Sequence, residues 1–186
     1  MENFGDKKVQ NDYLYKQKKT QSGRSMIEML GVLAIVGILS AGGIAGYNMA
    51  MQSYKTNLLI EKTQIIATRA RQVFKGAYSD ITRNRLIDSG KLSADDFKHP
   101  FGGDINVGTS GWGNDKFHVQ LGNLPAETCT DMLLTDWGES GVFEGIHIIS
   151  DRDRSLRYSS GSWPVSTNNA VAYCKSGTTL FDIVFK

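Results

Sequence analysis

Glu28 is the residue whose placement most needs a chemical reason. It stands at the head of a run, Met29 to Met51, that carries no charge. A carboxylate at the centre of a membrane helix costs about 2.5–3.5 kcal/mol, and less near the interface. A cost of that kind implies a role and a partner for Glu28; the simpler alternative is a carboxylate that snorkels to the membrane surface. The second candidate pair is Cys129 and Cys174, the only cysteines in the chain. If the C-terminal part is exported, a Cys129–Cys174 disulfide is the natural reading, against two unrelated buried thiols. Closing that loop contributes ~4 kcal/mol on the chain-entropy model.

Other constellations carry less. His99, His118 and His147 lack metal-ligand spacing. Asp151-Arg152-Asp153-Arg154 touches the calcium-loop pattern, but Leu156 and Ser162 stand where that loop requires Gly and Glu. Gly108 to Gly113 is rich in glycine yet lacks the Gly-Lys-Ser/Thr ending of a phosphate loop and precedes a strand pattern. No Ser/His/Asp or Cys/His arrangement stands out, so no enzyme, metal or cofactor is expected. Arg152, Arg154 and Arg157 read as a solvated face or as a contact with acids of a neighbouring subunit.

The elements that must position Glu28 follow from charge and periodicity. Residues 1–23 are polar, show no helical periodicity, end in Gly23 and carry five Lys against three acids. They read as a basic leader removed at maturation and excluded from the fold. Residues 24–186 are electrically neutral, against a chain total of +2, which argues against a nucleic-acid surface and suits a subunit that packs on copies of itself. The segment 24–51 reads as a transmembrane helix, since residues 26–51 are apolar on all sides and long enough to span a bilayer. Small-residue pairs, Gly42 with Gly46 and Ala41 with Ala45, fit close helix packing there. Basic residues are denser before this run than after it, which favours a cytoplasmic N-terminus and an exported C-terminal part.

Residues 52–80 change character. Leu59, Ile66, Ala70, Val73, Phe74 and Ala77 recur at helical spacing among charged residues. No proline separates this stretch from the apolar run, so one helix over about 26–78, roughly 80 Å long, is expected.

The stretch Gly23-Arg24-Ser25-Met26-Ile27-Glu28 and the apolar run after it resemble the N-terminus of type IV prepilins and of type II secretion pseudopilins. The resemblance implies a cut by a prepilin peptidase between Gly23 and Arg24. It also implies a role for Glu28 in assembly, paired with the new amine of Arg24 on a neighbouring subunit. Arg24 departs from the family, which usually has an apolar residue there. The long leader is similar to that of the type IVb branch. The implied protein is an inner-membrane precursor with a periplasmic head, drawn by an assembly platform into an extracellular homopolymeric filament. Many such pilins close a C-terminal loop with one disulfide, which favours the Cys129–Cys174 bond.

The remaining residues, 81–186, read as a globular head. A short helix is expected over Arg83 to Leu92 and a turn at His99-Pro100-Phe101-Gly102-Gly103. Strands are expected near 104–107, 117–121, 145–150, 170–174 and 179–185, with a helix from Pro125 to about Thr135 and a polar loop over 151–169. The expected class is α+β: a long N-terminal helix packed on a small antiparallel sheet, the type IV pilin fold. The rival readings are a pseudopilin and, from another class, a periplasmic binding domain or enzyme behind an ordinary secretory signal cut near Ala41-Gly42-Gly43.

Overall fold

The computed structural model describes residues 4–111, 113–137, 142–150, 155–159, 163, 165–175 and 178–186, with side chains from Met26 onward except at 150, 155, 156, 178 and 179. The chain divides into two compact units, Met1–Ala50 and Met51–Lys186. One helix, α1 (Phe4–Phe74), belongs to both.

In the first unit, α1 begins inside the expected leader, where the sequence shows no helical periodicity. The leader lacks an apolar stripe, but it has no proline, and its Lys and Gln residues favour a helix intrinsically. In the second unit the periodic pattern decides the packing. Thr56, Leu59, Thr63, Ile66 and Ala70 recur every three or four residues, and all are buried. The two threonines are satisfied: Thr63 Oγ1 donates to the Leu59 carbonyl at 2.8 Å, and the Thr56 and Thr128 hydroxyls lie 3.1 Å apart.

The helix stops at Phe74, earlier than its periodicity suggested. Lys75 (φ 48°) and Gly76 (φ 92°) take left-handed conformations, the usual way a helix ends with glycine just beyond it. The turn sends Tyr78 back to the core, 4.6 Å from the Phe117 ring centroid, and leaves Ala77 exposed.

The connecting region runs through α2 (Arg83–Asp88), capped by the Thr82 side chain, and a 3-10 turn, Ala94–Phe97. In that turn, Ser93 and Asp96 form a reciprocal capping box. The Ser93 N–H and hydroxyl both donate to Asp96 and hold its carboxyl below the usual range. Lys62 on α1 reaches across and donates to the Asp95 and Lys98 carbonyls at 3.0 and 3.2 Å.

The sheet is antiparallel throughout, in the order β1-β2-β5-β3-β4. Its strands are β1 (Ile105–Thr109), β2 (Phe117–Leu124), β3 (Phe143–Ser150), β4 (Ser155–Ser159) and β5 (Thr178–Phe185). Residues of period two face the core: Ile105 and Val107, Phe117, Val119 and Leu121, Ile146 and Ile148, Phe181, Ile183 and Phe185. The last strand in sequence is therefore the central one in space. The Lys116–Glu144 ion pair (2.8 Å) ties the start of β2 to the start of β3 on either side of it.

Two parts of the expected head differ. The stretch read as a polar loop contains β4, and the strand expected at 170–174 is a helix, α4 (Thr167–Cys174). Ser166 caps α4 by accepting from the Asn169 N–H, and Ala170 and Cys174, one turn apart, are its buried residues. A cap and an i,i+4 buried pair outweigh the strand preference of Val171 and Tyr173.

Candidate functional site

The first candidate set lies on α1. Every described side chain from Met26 through Ala50 is exposed. Ile27 and Ile38 are each 74% exposed, and Leu30, Val32, Leu33 and Leu39 all exceed 60%. Each such side chain would gain about 1.5–3 kcal/mol on leaving water. A helix this long and apolar meets the requirements of a membrane span by length and composition.

Glu28 is exposed at the start of this surface, one helical turn after Arg24. Gly23 and Arg24 lie within α1, and their side chains are outside the described residues. Gly42 and Gly46 are one turn apart and exposed, and a Cβ built at either meets nothing within 4 Å. The same is true of Gly31, Gly37 and Gly43, so among the described residues nothing crowds these positions.

The second set lies in the head. Helix α3 (Ala126–Leu134) follows Pro125 and buries Thr128, Cys129, Met132 and Leu133. Trp137 closes its end by donating from Nε1 to the Met132 carbonyl at 2.9 Å. Cys129 is bonded to Cys174, with both residues fully buried and their Cα atoms 5.6 Å apart. The bond joins helix to helix rather than helix to strand, and the loop it closes carries β3 and β4.

The histidines serve the fold. His99 is buried in the turn the sequence predicted, where its Nδ1 accepts from the Phe101 N–H at 3.0 Å. Burial pushes its pKa down to about 4. His118 lies against Gly108 across the β1–β2 pair, and a Cβ there would sit 3.1 Å from the ring. His147 lies 3.6 Å from Asp182 on the neighbouring strand. Among the described residues no group of three or more His, Cys, Asp or Glu is placed to hold a metal ion. The calcium-loop pattern at Asp151 and Asp153, with Arg152, Arg154 and Ser162, lies outside the described residues. Arg157 is exposed on β4, in register with His147.

The exposed apolar helix of the first unit, and the small antiparallel sheet that shares a core with the later turns of α1 in the second, give the expected α+β class. No family model matches the chain. It is 25% identical over 176 residues to the "Major structural subunit of bundle-forming pilus" of Escherichia coli O111:H-, covering 86% of this chain and 90% of the relative. It is 24% identical over 164 residues to "Toxin coregulated pilin" of Vibrio cholerae serotype O1, covering 76% of this chain and 73% of the relative. A crystal structure of TcpA, a type IV pilin from Vibrio cholerae El Tor biotype, covers 71% of this chain and 98% of its own, at 18% identity and a TM-score of 0.48. By these sequence matches the chain is similar to pilins of the type IVb kind.

Proposed function

We propose that this chain is the structural subunit of a type IV pilus filament and performs no catalysis. Residues 1–23 are removed by a prepilin peptidase after Gly23, and Arg24 becomes the mature N-terminus. The precursor is held in the inner membrane by α1, with its N-terminus cytoplasmic and its head periplasmic. An assembly platform then transfers the apolar half of α1 from lipid into a homopolymeric core outside the cell. The observation that carries this reading is the exposed apolar surface from Met26 to Ala50, in a helix whose later turns are sealed into the head. Lipid tails and packed copies of the same helix are the two environments that cover such a surface.

In that core Glu28 pairs with the amine of Arg24 on a neighbouring subunit. A buried charge without its partner is strongly penalised, so a subunit docked out of register is rejected. Gly42 and Gly46, with room on their helix face, let neighbouring helices approach closely. The relatives named as pilus subunits support the role, and α1 continues unbroken past the Ala41-Gly42-Gly43 site that an ordinary secretory signal would use.

The test is to shear filaments from producing cells and determine the main subunit and its N-terminus by mass. A subunit beginning at Arg24 is expected. A mature protein beginning at Ile44, or filaments lacking this chain, would overturn the reading. Gly23→Val is expected to leave full-length protein in the membrane, and normal processing of it would refute the proposed cut.

A further inference from the structure

The head carries two exposed patches of opposite charge that one copy cannot bring together. The first is at the C-terminal end of α1. Arg71, Lys75 and Lys186 line an open concavity of about 540 Å³ together with Thr68, Gln72 and Tyr78. Arg71 lies beside Tyr78 in this concavity, and Lys186 lies 3.5 Å from Asp115 with both side chains more than half exposed. Among the described residues neither Arg71 nor Lys75 has a carboxylate partner.

The second patch is on α3. Glu127 and Asp131 are exposed and one helical turn apart, and Leu134, 38% exposed, continues the same stripe. The two acids repel: partial burial and the neighbouring Glu127 both raise the Asp131 carboxyl above its ordinary range. Neither acid has a basic partner among the described residues.

The patches are separated along α1. Thr128 on α3 meets Thr56, and Arg71 and Lys75 lie fifteen and nineteen residues further along the helix, about 22 and 28 Å at the α-helical rise. Glu127 and Asp131 flank Thr128 and lie within about 5 Å of it along α3. The acids therefore sit too far from the cations to neutralise them within one molecule. The charges are complementary: two exposed cations stand at the end of α1 in one patch, and two exposed acids one helical turn apart in the other.

We propose that the Glu127–Asp131 stripe of α3 on one copy docks on the Arg71–Lys75 patch at the end of α1 on the next. This rests on the filament reading above and names a head contact within it. The contact joins different patches of two identical subunits, displaced along α1. Repeated from copy to copy, a head-to-tail contact of this kind produces an open helical assembly when its rotation does not close into a ring.

The test uses the full chain in producing cells. Arg71→Glu with Lys75→Glu, and separately Glu127→Lys with Asp131→Lys, place like charges in the contact. Each pair is expected to reduce sheared filament at least about tenfold, with processed subunit still in the membrane fraction. Combining all four changes reverses both patches and is expected to restore filament yield. Wild-type yield from either pair alone, or no restoration by the combination, would overturn the proposal. A cysteine pair that leaves the remaining charges in place, Lys75→Cys with Asp131→Cys, is expected to give disulfide-linked ladders in intact filaments; monomer alone would also overturn it. Filaments that contain this chain but lack the cross-link refute the contact, whereas wild-type filaments without this chain refute the filament reading itself.

Discussion

Removing the Cys129–Cys174 bond tests how the head divides into stronger and weaker parts. The two cysteines are 45 residues apart and fully buried, so Cys129→Ala with Cys174→Ala removes a long cross-link and leaves no new buried polar group. For a loop of that length the chain-entropy model gives about 4 kcal/mol, an upper figure when the unfolded chain keeps some structure. The closed loop contains β3, β4 and α4. Of these, β3 is held by full-length pairing to β5, whereas β4 is an edge strand and α4 is anchored by Ala170, Cys174 and its contacts with α3. Loss of the bond should therefore free β4 and α4 first and leave β2 and β5 protected. Urea unfolding of the full chain in detergent, followed by Trp137 fluorescence, reads the global loss. Hydrogen exchange reads its distribution. A global change under about 1 kcal/mol, or equal loss of protection in β5 and α4, would refute the reasoning.

Three further outcomes are expected. Glu28→Val should be cleaved and retained in the membrane but yield few or no filaments as the sole subunit, because one buried partner charge is left at a penalty of roughly 3–5 kcal/mol; abundant filaments by electron microscopy would sink the proposed pairing. The His99 pKa is lowered from 6.5 to about 4 by burial, so the unfolded state binds its proton first and stability falls as pH drops from 6.5 towards 4. His99→Gln should flatten the pH dependence of urea unfolding in that window, and an unchanged slope would disprove the assignment; the Asp96 cap, whose pKa is lowered, is lost only at more acid pH. Gly108→Ala places a methyl 3.1 Å from the His118 ring, so the unfavourable coupling between Gly108→Ala and His118 should reach about 1 kcal/mol and vanish in a His118→Ala background; additivity of the two changes would count against it.

The parts of the fold legible in the sequence are those where one local pattern had no competitor. The period of Leu59, Ile66 and Ala70 marks the buried stripe of α1, and the alternation at Phe117, Val119 and Leu121 marks β2. The turn at His99 to Gly103 is closed by a 2.8 Å bond from the His99 N–H to the Gly103 carbonyl, as its Pro-Phe-Gly-Gly run implies. Errors arise where local preferences conflict. Tyr78 continues the apolar period of α1, but Gly76 ends the helix first. Val171 and Tyr173 suggest a strand, while the signal for α4 lies upstream in Ser166 to Asn169, a cap followed by small and apolar residues. Thr56 and Thr63 look like surface positions, and their burial depends on Thr128 and on a backbone carbonyl one turn back. The basic concavity is illegible for another reason. Lys186 joins Arg71 and Lys75 only because β5 is the central strand, a fact of topology that no local pattern records.

Helix α1 passes from one set of physical demands to another without a break. Between Thr56 and Ala70 its side chains are chosen to fit a fixed core, so large, small and hydroxyl residues alternate against named partners. Between Met26 and Ala50 every side chain is exposed, yet the composition is not that of a helix optimised for lipid alone. Five glycines, each less favourable than alanine by up to about 1 kcal/mol in a helix interior, occupy positions where nothing would obstruct a side chain. Lipid needs no such concession, since any apolar side chain satisfies it. Close approach of a second helix does, because its backbone and side chains would fill the space that a Cβ would take. The glycines are thus best understood as a property of the proposed assembled state, in which neighbouring copies supply the close contacts that offset their cost.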